Sequence, residues 1–257
     1  MMQYANLEER LRTALGLTSS PVSVSILRTE AEVEQVAGTH LPLTAHRYCQ
    51  ALMRARRGER VLMTAEGLNC PAAASVFGFR PLPDKLATGE GLVGFGIVQT
   101  PEQGRLMFES MTRFPPGSVA GMALAPLAMA ERQPDVVVVE GEVEQLMWLL
   151  LANLHLTGER QTASTAVLQA TCVDSTVIPF HRGELNFSFG CYGCREATDM
   201  AASEAVIGFP GGILEPMVAA ITYLAEKAIP RSRAKRVFET LRQGDAQRPC
   251  HEGAADQ

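Results

Sequence analysis

The sequence lacks the features that mark nucleic-acid-binding, membrane and secreted proteins. Its 23 lysine and arginine residues are outnumbered by 28 acidic residues, so it has no overall basic excess to neutralise phosphates. The longest apolar run, LMWLLLANL at residues 146–154, is far shorter than the roughly 20 residues that span a bilayer. The first residues, MMQYANLEERLRTALGL, lack the uninterrupted apolar stretch of a signal peptide. We therefore expect a cytoplasmic protein that binds no nucleic acid and inserts into no membrane.

Common catalytic signatures are also missing. The sequence contains no P-loop, no GxSxG elbow and no HExxH pair. Glycines 89, 91 and 94 match the GxGxxG spacing, but LPDKLAT precedes them and the strand-like GFGIVQ follows, so a turn is favoured over dinucleotide binding. The arginine-rich stretch RARRGER at residues 54–60 could bind phosphate, but a solvated helix end is the favoured interpretation.

The patterns that are present predict a folded α/β or α+β protein. A hydrophobic content of 46% is ample for a continuous core, and strand-like and helix-like segments alternate along the chain. The clearest unit is the buried strand PDVVVVEG followed by a helix over residues 142–156. No linker-like run or fixed-period repeat divides the body. We predict a single compact mixed domain over residues 1–243, with a two-lobed arrangement as the alternative, and a disordered tail over residues 244–257 that includes Cys250.

The cysteines are the main candidates for chemistry. Cys191 and Cys194 have C-x-x-C spacing, which can place both sulfurs on one metal or close a redox disulfide. A four-thiolate site needs two further donors, and Cys49, Cys70 and Cys172 are available within the folded body. The alternative is that these residues are small buried hydrophobes, since free cysteines are often found in cores. We expect Cys49, Cys70 and Cys191 to converge, because each lies at or beside a predicted strand-to-helix turn.

Several separated motifs carry a resemblance to a known family. They are RYCQALMRARRGE, LNCPAAASVFGF, PDVVVVEG, LTGERQTAS, ATCVDSTVIPF, FSFGCYGCREATDM and EAVIGFP. Together these segments resemble the bacterial and archaeal proteins grouped as domain of unknown function 169, over roughly residues 17–228. The resemblance implies shared cysteines at Cys49, Cys70, Cys172 and Cys191, with Cys194 as an addition. It implies little about activity, because the family is named for the lack of one.

These observations favour a protein with a cysteine-based site. The leading hypothesis is an iron–sulfur cluster or another thiophilic metal for electron transfer or redox sensing, since soft thiolates select such metals. Zinc is the alternative metal, and it is less favoured because structural zinc sites usually show two close ligand pairs. The cofactor-binding candidates are Cys49, Cys70, Cys172, Cys191 and Cys194, and all of these except Cys172 are the predicted metal ligands.

Two other functions stay open at this stage. One is a thiol–disulfide oxidoreductase in which Cys191 is the nucleophile and Cys194 resolves the mixed disulfide. The other is a small-ligand-binding protein without redox chemistry, whose pocket is lined by the small-residue loops near residues 70–75 and 209–213. Under these hypotheses the partner is a redox partner or a small molecule. The sequence identifies neither, and it leaves the oligomeric state and any enzymatic activity open.

Overall fold

A computed structural model describes residues 2–246 of the chain, and it contains one seven-stranded sheet. The strands lie in the order β2-β3-β4-β1-β5-β7-β6. Neighbouring strands are antiparallel, except that β2 and β3 are parallel. The strands are β1 (Val22–Leu27), β2 (Leu41–Pro42), β3 (Val61–Thr64), β4 (Gly121–Pro126), β5 (Val136–Glu142), β6 (Asn186–Ser188) and β7 (Glu204–Pro210).

Helices fill most of the connections between the strands. In addition to the α-helices there are 3₁₀ turns at Leu127–Met129 and Gly211–Ile213 and a π-helix at Ala170–Val177. The α-helices are α1 (Met2–Leu15), α2 (Glu30–Ala37), α3 (Tyr48–Arg56), α4 (Pro71–Val76), α5 (Asp84–Ala87), α6 (Glu90–Gly94), α7 (Pro101–Glu109), α8 (Val143–Thr157), α9 (Ile178–Arg182), α10 (Tyr192–Ala197), α11 (Leu214–Glu226), α12 (Ala228–Arg233) and α13 (Arg236–Ala246).

The valine run of β5 shows how the layers are built. Successive side chains of a strand point to opposite faces of the sheet. Val136 and Val138 pack into a core shared with α3, α4 and the π-helix. Val137 and Val139 pack into a second core shared with α1, α8 and α11. Because helices cover both faces of β5, the strand needs apolar residues at every one of these positions, as the uninterrupted valine run predicts.

Local sequence signals explain where several helices begin. Thr29 accepts a hydrogen bond from the backbone N–H of Glu32, and the Glu32 carboxylate accepts from the backbone N–H of Thr29, which forms a capping box at α2. Thr100 caps α7 in the same way. Pro71 occupies the first turn of α4, where its missing N–H costs no hydrogen bond. The caps of α4 and α7 fix the entry points of two helices that line the cysteine cavity described below.

The mixed fold predicted from the sequence is confirmed, with three differences in detail. The expectation that GFGIVQ forms a strand is wrong: its first residue ends α6, and no strand lies in residues 94–99. The segment around Cys172, which the sequence left ambiguous, is the π-helix. Helix α13 extends to Ala246, three residues into the predicted tail, while residues 247–257, with Cys250, lie outside the described residues. Within residues 2–246, no helix is long and apolar enough to cross a membrane.

The first glycine of the GxGxxG spacing allows close packing between two helices. Gly89 precedes α6 with a left-handed backbone, φ of 84°, and a Cβ atom there would lie 1.9 Å from the carbonyl oxygen of Pro101. Gly104 in α7 faces Gly89 just as closely, with its Cβ position 2.6 Å from the carbonyl oxygen of Gly89. The two glycines therefore allow the backbones of α6 and α7 to touch. This packing agrees with the structural interpretation of the glycine spacing.

Candidate functional site

Five cysteine side chains line one cavity of about 400 Å³. They come from four separate parts of the chain that the fold brings together on one face of the sheet. The exposed rings of Phe95 and Tyr192 also line the cavity, at its solvent side. The cysteines of the cavity are Cys49, Cys70, Cys172, Cys191 and Cys194.

Each cysteine is positioned by a helix. Cys49 lies in the first turn of α3, and Cys70 is the residue that immediately precedes α4. Cys172 lies in the π-helix. Cys191 caps the N-terminus of α10, and Cys194 is in the first turn of that helix. All are buried except Cys70, which is partly exposed. All five cysteines predicted from the sequence as site residues thus line the same cavity.

The two sulfurs of the C-x-x-C pair are in direct contact. Their Sγ atoms are 2.9 Å apart, with the Cys191 thiol donating toward Cys194. The backbone N–H of Cys194 donates to the Cys191 sulfur at 3.2 Å, and the hydroxyl of Thr171 lies 3.5 Å from the Cys194 sulfur. Two thiolates on one tetrahedral metal would be about 3.8 Å apart, given metal–sulfur bonds of about 2.3 Å. The pair is therefore arranged as two hydrogen-bonded thiols.

The surroundings raise the pKa of three of the cavity thiols, those of Cys172, Cys191 and Cys194. The hydrogen bond to Cys194 and burial raise the pKa of Cys191 far above its ordinary value. For Cys194, the hydrogen bond from Cys191 lowers the pKa, but the bond to Cys49 and burial outweigh it and raise the pKa to about 12. Burial also raises the pKa of Cys172 well above its ordinary value. Binding of a thiophilic cation must therefore release protons from these sulfurs.

Helix α3 holds α10 against the cavity. The guanidinium of Arg47 donates to the carbonyl oxygen of Gly193 at 3.1 Å and pairs with Glu196 at 3.1 Å. The side-chain amide of Gln50 donates to the carbonyl oxygen of Ala197 at 3.2 Å. Because α3 carries Cys49 and α10 carries Cys194, these bonds fix two of the cavity's sulfurs relative to each other.

The arginine-rich stretch is engaged in ion pairs. Arg56 contacts both a buried carboxylate on β5 and the carboxylate of Asp199, which follows α10. Arg57 binds the same Asp199. These contacts tie the C-terminal end of α3 to the sheet and to the segment after α10. They support a structural role over phosphate binding. The pairs are Arg54–Glu59, Arg56–Glu140, Arg56–Asp199, Arg57–Asp199 and Arg60–Glu131.

The π-helix that carries Cys172 is stabilised by its own hydroxyl side chains. Ser175 donates to the carbonyl oxygen of Ala170 at 2.9 Å, and Thr176 donates to the carbonyl oxygen of Thr171 at 2.7 Å. These bonds satisfy backbone oxygens inside the protein. The hydroxyl of Tyr48, next to Cys49, is 3.0 Å from the Thr176 hydroxyl. π-Helices are rare and are often found at functional sites.

A buried polar network behind the π-helix was not predicted from the sequence. Asp174 accepts a hydrogen bond from Thr165 at 2.7 Å, and Thr165 also contacts Ser188 at 2.9 Å. Asn186 donates to the carbonyl oxygen of Asp174 at 2.7 Å. Burial raises the pKa of Asp174 to about 6, although the bonds to Thr165 and Ser188 lower it. The polar residues within the otherwise apolar ATCVDSTVIPF were the sequence signal for this network.

The cavity does not form a ready-made site for one metal ion. In residues 2–246, no group of three or more histidine, cysteine, aspartate or glutamate side chains is arranged to hold a single ion. A mononuclear zinc site needs about four ligands within about 2.3 Å of one point.

Comparisons with known proteins identify the family but no activity. A family model described as DUF169, "Uncharacterised ArCR", matches residues 10–220. The chain is 25% identical over 220 residues to "Uncharacterized protein MJ0308" of Methanocaldococcus jannaschii, which covers 85% of this chain and 93% of that protein. No solved structure matches the chain. Because the family model spans most of the sequence, including all five cavity cysteines, the chain belongs to the DUF169 family.

Proposed function

We propose that the cavity binds an iron–sulfur cluster through cysteine thiolates and that the protein uses it in electron transfer or redox sensing. The observation that carries the proposal is that five of the six cysteines line the same cavity. The cavity is lined by 22 of 257 residues, so a random distribution of the six cysteines would place on average about half a cysteine there. Burial alone does not explain a grouping from four separate segments.

The number of cysteines that line the cavity suits a cluster better than a single ion. A cluster has several iron atoms, each bound by its own cysteine, so its ligands surround a larger volume than the ligands of one zinc ion. A cavity of about 400 Å³ lined by five cysteines offers room for this larger group. We assign Cys49, Cys70, Cys191 and Cys194 as ligands, with Cys172 as a fifth thiol available to the site.

Arg47 supplies positive charge at the cavity wall. The hydrogen bond to Glu196 raises its pKa most, and the nearby Cys49 and Cys70 raise it further, which places both sulfurs within electrostatic reach of the guanidinium. A nearby cation favours a thiolate over a thiol. When bound, a cluster would supply one-electron chemistry. The protein would position the thiolates among apolar residues, and Arg47 would balance part of their negative charge.

A thiol–disulfide oxidoreductase is the second candidate, because the Cys191 and Cys194 sulfurs are only 2.9 Å apart. The burial of both residues opposes it, since they are 7% and 4% exposed and a protein disulfide could not reach them without a rearrangement. An oxidoreductase of this type also has no use for Cys49, Cys70 and Cys172. A small-ligand site in the cavity would bind neither iron nor sulfide.

Anaerobic purification, followed by reconstitution with iron and sulfide, tests the proposal. We expect a brown protein with visible absorption and with iron and sulfide in comparable amounts. Cys49→Ser and Cys194→Ser should each lose most of the iron, because each removes a thiolate ligand. Cys250→Ser, outside the described residues, should retain it. Thermal midpoints of the apoproteins would show that the variants still fold.

Two outcomes would overturn the cluster. The first is a wild-type protein that stays colourless and free of iron after reconstitution. The second is full iron retention in both cavity variants. A colourless protein in which Cys194→Ser traps a mixed disulfide through Cys191 would instead support the oxidoreductase.

A further inference from the structure

The Cys191 and Cys194 sulfurs are close enough to form a covalent bond after a small movement. A disulfide has a sulfur–sulfur bond of about 2.05 Å, so the observed separation of 2.9 Å must shorten by only about 0.9 Å. Cys191 precedes α10 in an extended backbone conformation, and rotation of its side chain can supply such a movement. Closure therefore requires no rearrangement of the helix.

Cys191 can be reached from two sides. Besides the cysteine cavity, it lines a neighbouring open groove of about 720 Å³, together with Val167, Phe189 and Tyr192, whose side chains are exposed. Cys194 lines the cavity but not the groove. A small molecule entering the groove therefore meets Cys191 first. Large reagents are excluded because the cysteine itself is 7% exposed.

We propose that a small hydroperoxide oxidises Cys191 and Cys194 to a reversible disulfide. We further propose that this disulfide prevents the cavity from binding the iron–sulfur cluster. Formation of the disulfide does not depend on the proposed function, whereas its effect on cluster binding rests on that function. One sulfur takes the terminal oxygen of the hydroperoxide, whose O–O bond breaks to release an alcohol or water, and becomes a sulfenic acid. The second thiol displaces that oxygen as water, and the S–S bond forms. The two electrons lost by the sulfurs reduce the peroxide.

The disulfide would act on the site by removing ligands. A disulfide sulfur carries no negative charge and is not the thiolate that binds metals. Closure would leave Cys49, Cys70 and Cys172 as the cavity's thiols, and two of the four assigned ligands would be lost. A bound cluster would in turn hold Cys191 and Cys194 as thiolates and protect them. Binding of the cluster and oxidation of Cys191 and Cys194 are therefore mutually exclusive. The fraction of protein that holds a cluster would fall as the peroxide concentration rises.

Cys49 is a competing partner, because it also forms a hydrogen bond with Cys194. The test must therefore identify which two sulfurs are joined.

Peptide mapping of the peroxide-treated, metal-free protein tests formation of the disulfide. Trypsin releases residues 183–195 as one peptide with both cysteines, while Cys49 falls in another peptide. We expect the 183–195 peptide to become lighter by two hydrogen atoms and to resist alkylation until a reductant is added. Cys250→Ser should behave like the wild type, and Cys194→Ser should not form the link. Persistence of two alkylatable thiols in the wild-type peptide, or a link to Cys49 instead, would overturn the disulfide.

Reconstitution of the reduced and the oxidised wild-type protein with iron and sulfide, without added reductant, tests whether the disulfide blocks cluster binding. We expect at least a tenfold lower iron content in the oxidised sample and recovery after reduction. Equal loading of both samples, with the disulfide intact by mapping, would overturn the block while leaving the cluster proposal standing. If the reduced protein fails to load, the cluster proposal and the block both fail, and mapping still decides whether the disulfide forms.

Discussion

Replacement of Gly208 by alanine should lower the free energy of unfolding by about 3 kcal/mol or more, because no space exists for a methyl group. A Cβ atom at this position would lie 1.8 Å from the carbonyl oxygen of Ser175 and 2.5 Å from its carbonyl carbon. Both atoms belong to the backbone of the π-helix, so a rotamer change cannot relieve the overlap. Gly208 itself is fixed in the interior of the sheet, paired with Val138 and Asn186.

The same substitution should impair the site. The π-helix carries Cys172 and Thr171, and Thr171 contacts the sulfur of Cys194. A shift of the π-helix away from β7 would move this wall of the cavity. We therefore expect any folded Gly208→Ala protein to bind less iron than the wild type under identical reconstitution.

Chemical denaturation of Gly208→Ala and Gly94→Ala, each against the wild type, would measure this effect. Gly94 ends α6 with no atom within 4 Å of its Cβ position and has no left-handed backbone, so its substitution should change stability by less than about 0.5 kcal/mol. Equal stability of the two variants would show that β7 does not approach the π-helix as closely as described.

Much of the fold follows from short-range sequence patterns. The four valines of β5, the helix after them and the proline at the start of α4 each satisfy a local rule, and all three elements are found. The π-helix does not follow from such a rule. It depends on hydroxyl groups that bond to the helix's own backbone and on the close approach of Gly208, which lies more than 30 residues further along the chain.

The candidate site was partly visible in the sequence. The cysteines and their spacing could be read directly, and the expected convergence of Cys49, Cys70 and Cys191 corresponds to the cavity that they share. The role of the arginines could not be assigned, because Arg47 and Arg56 contact residues about 150 and 85 positions away. Such pairings depend on the order of strands in the sheet, which residue periodicity does not encode.

Glu140 should make the stability of the protein fall as pH rises from about 4.5 to about 7. Its carboxylate lies on β5 with its side chain 3% exposed, and its Oε2 is 2.7 Å from Nε of Arg56. The two atoms do not meet with the alignment of a hydrogen bond. Burial therefore outweighs the attraction of Arg56, and with Glu204 and Asp199 nearby it raises the pKa of Glu140 to about 7.

The direction of this pH dependence follows from the number of protons bound to the folded and the unfolded protein. Between the ordinary carboxyl pKa of 4.5 and the raised value, the folded protein keeps a proton that the unfolded chain has released. Stability falls with rising pH wherever the folded state binds more protons. A rise of this size corresponds to about 3 kcal/mol, since each pKa unit is worth about 1.4 kcal/mol. The stabilising contribution is therefore fully present below pH 4.5 and lost as pH rises through about 7.

Glu140→Gln isolates this effect, because glutamine keeps the size of the side chain and does not titrate. Urea unfolding of the wild type and the variant at several pH values would give the difference in their unfolding free energies. We expect the wild type to lose about 3 kcal/mol relative to the variant between about pH 4.5 and pH 8. Glu142→Gln, at an exposed position on the same strand, should follow the wild type throughout. Parallel curves for wild type and Glu140→Gln would mean that Arg56 keeps Glu140 ionised in the folded protein, and that the pair stabilises the attachment of α3 to the sheet at every pH in this range.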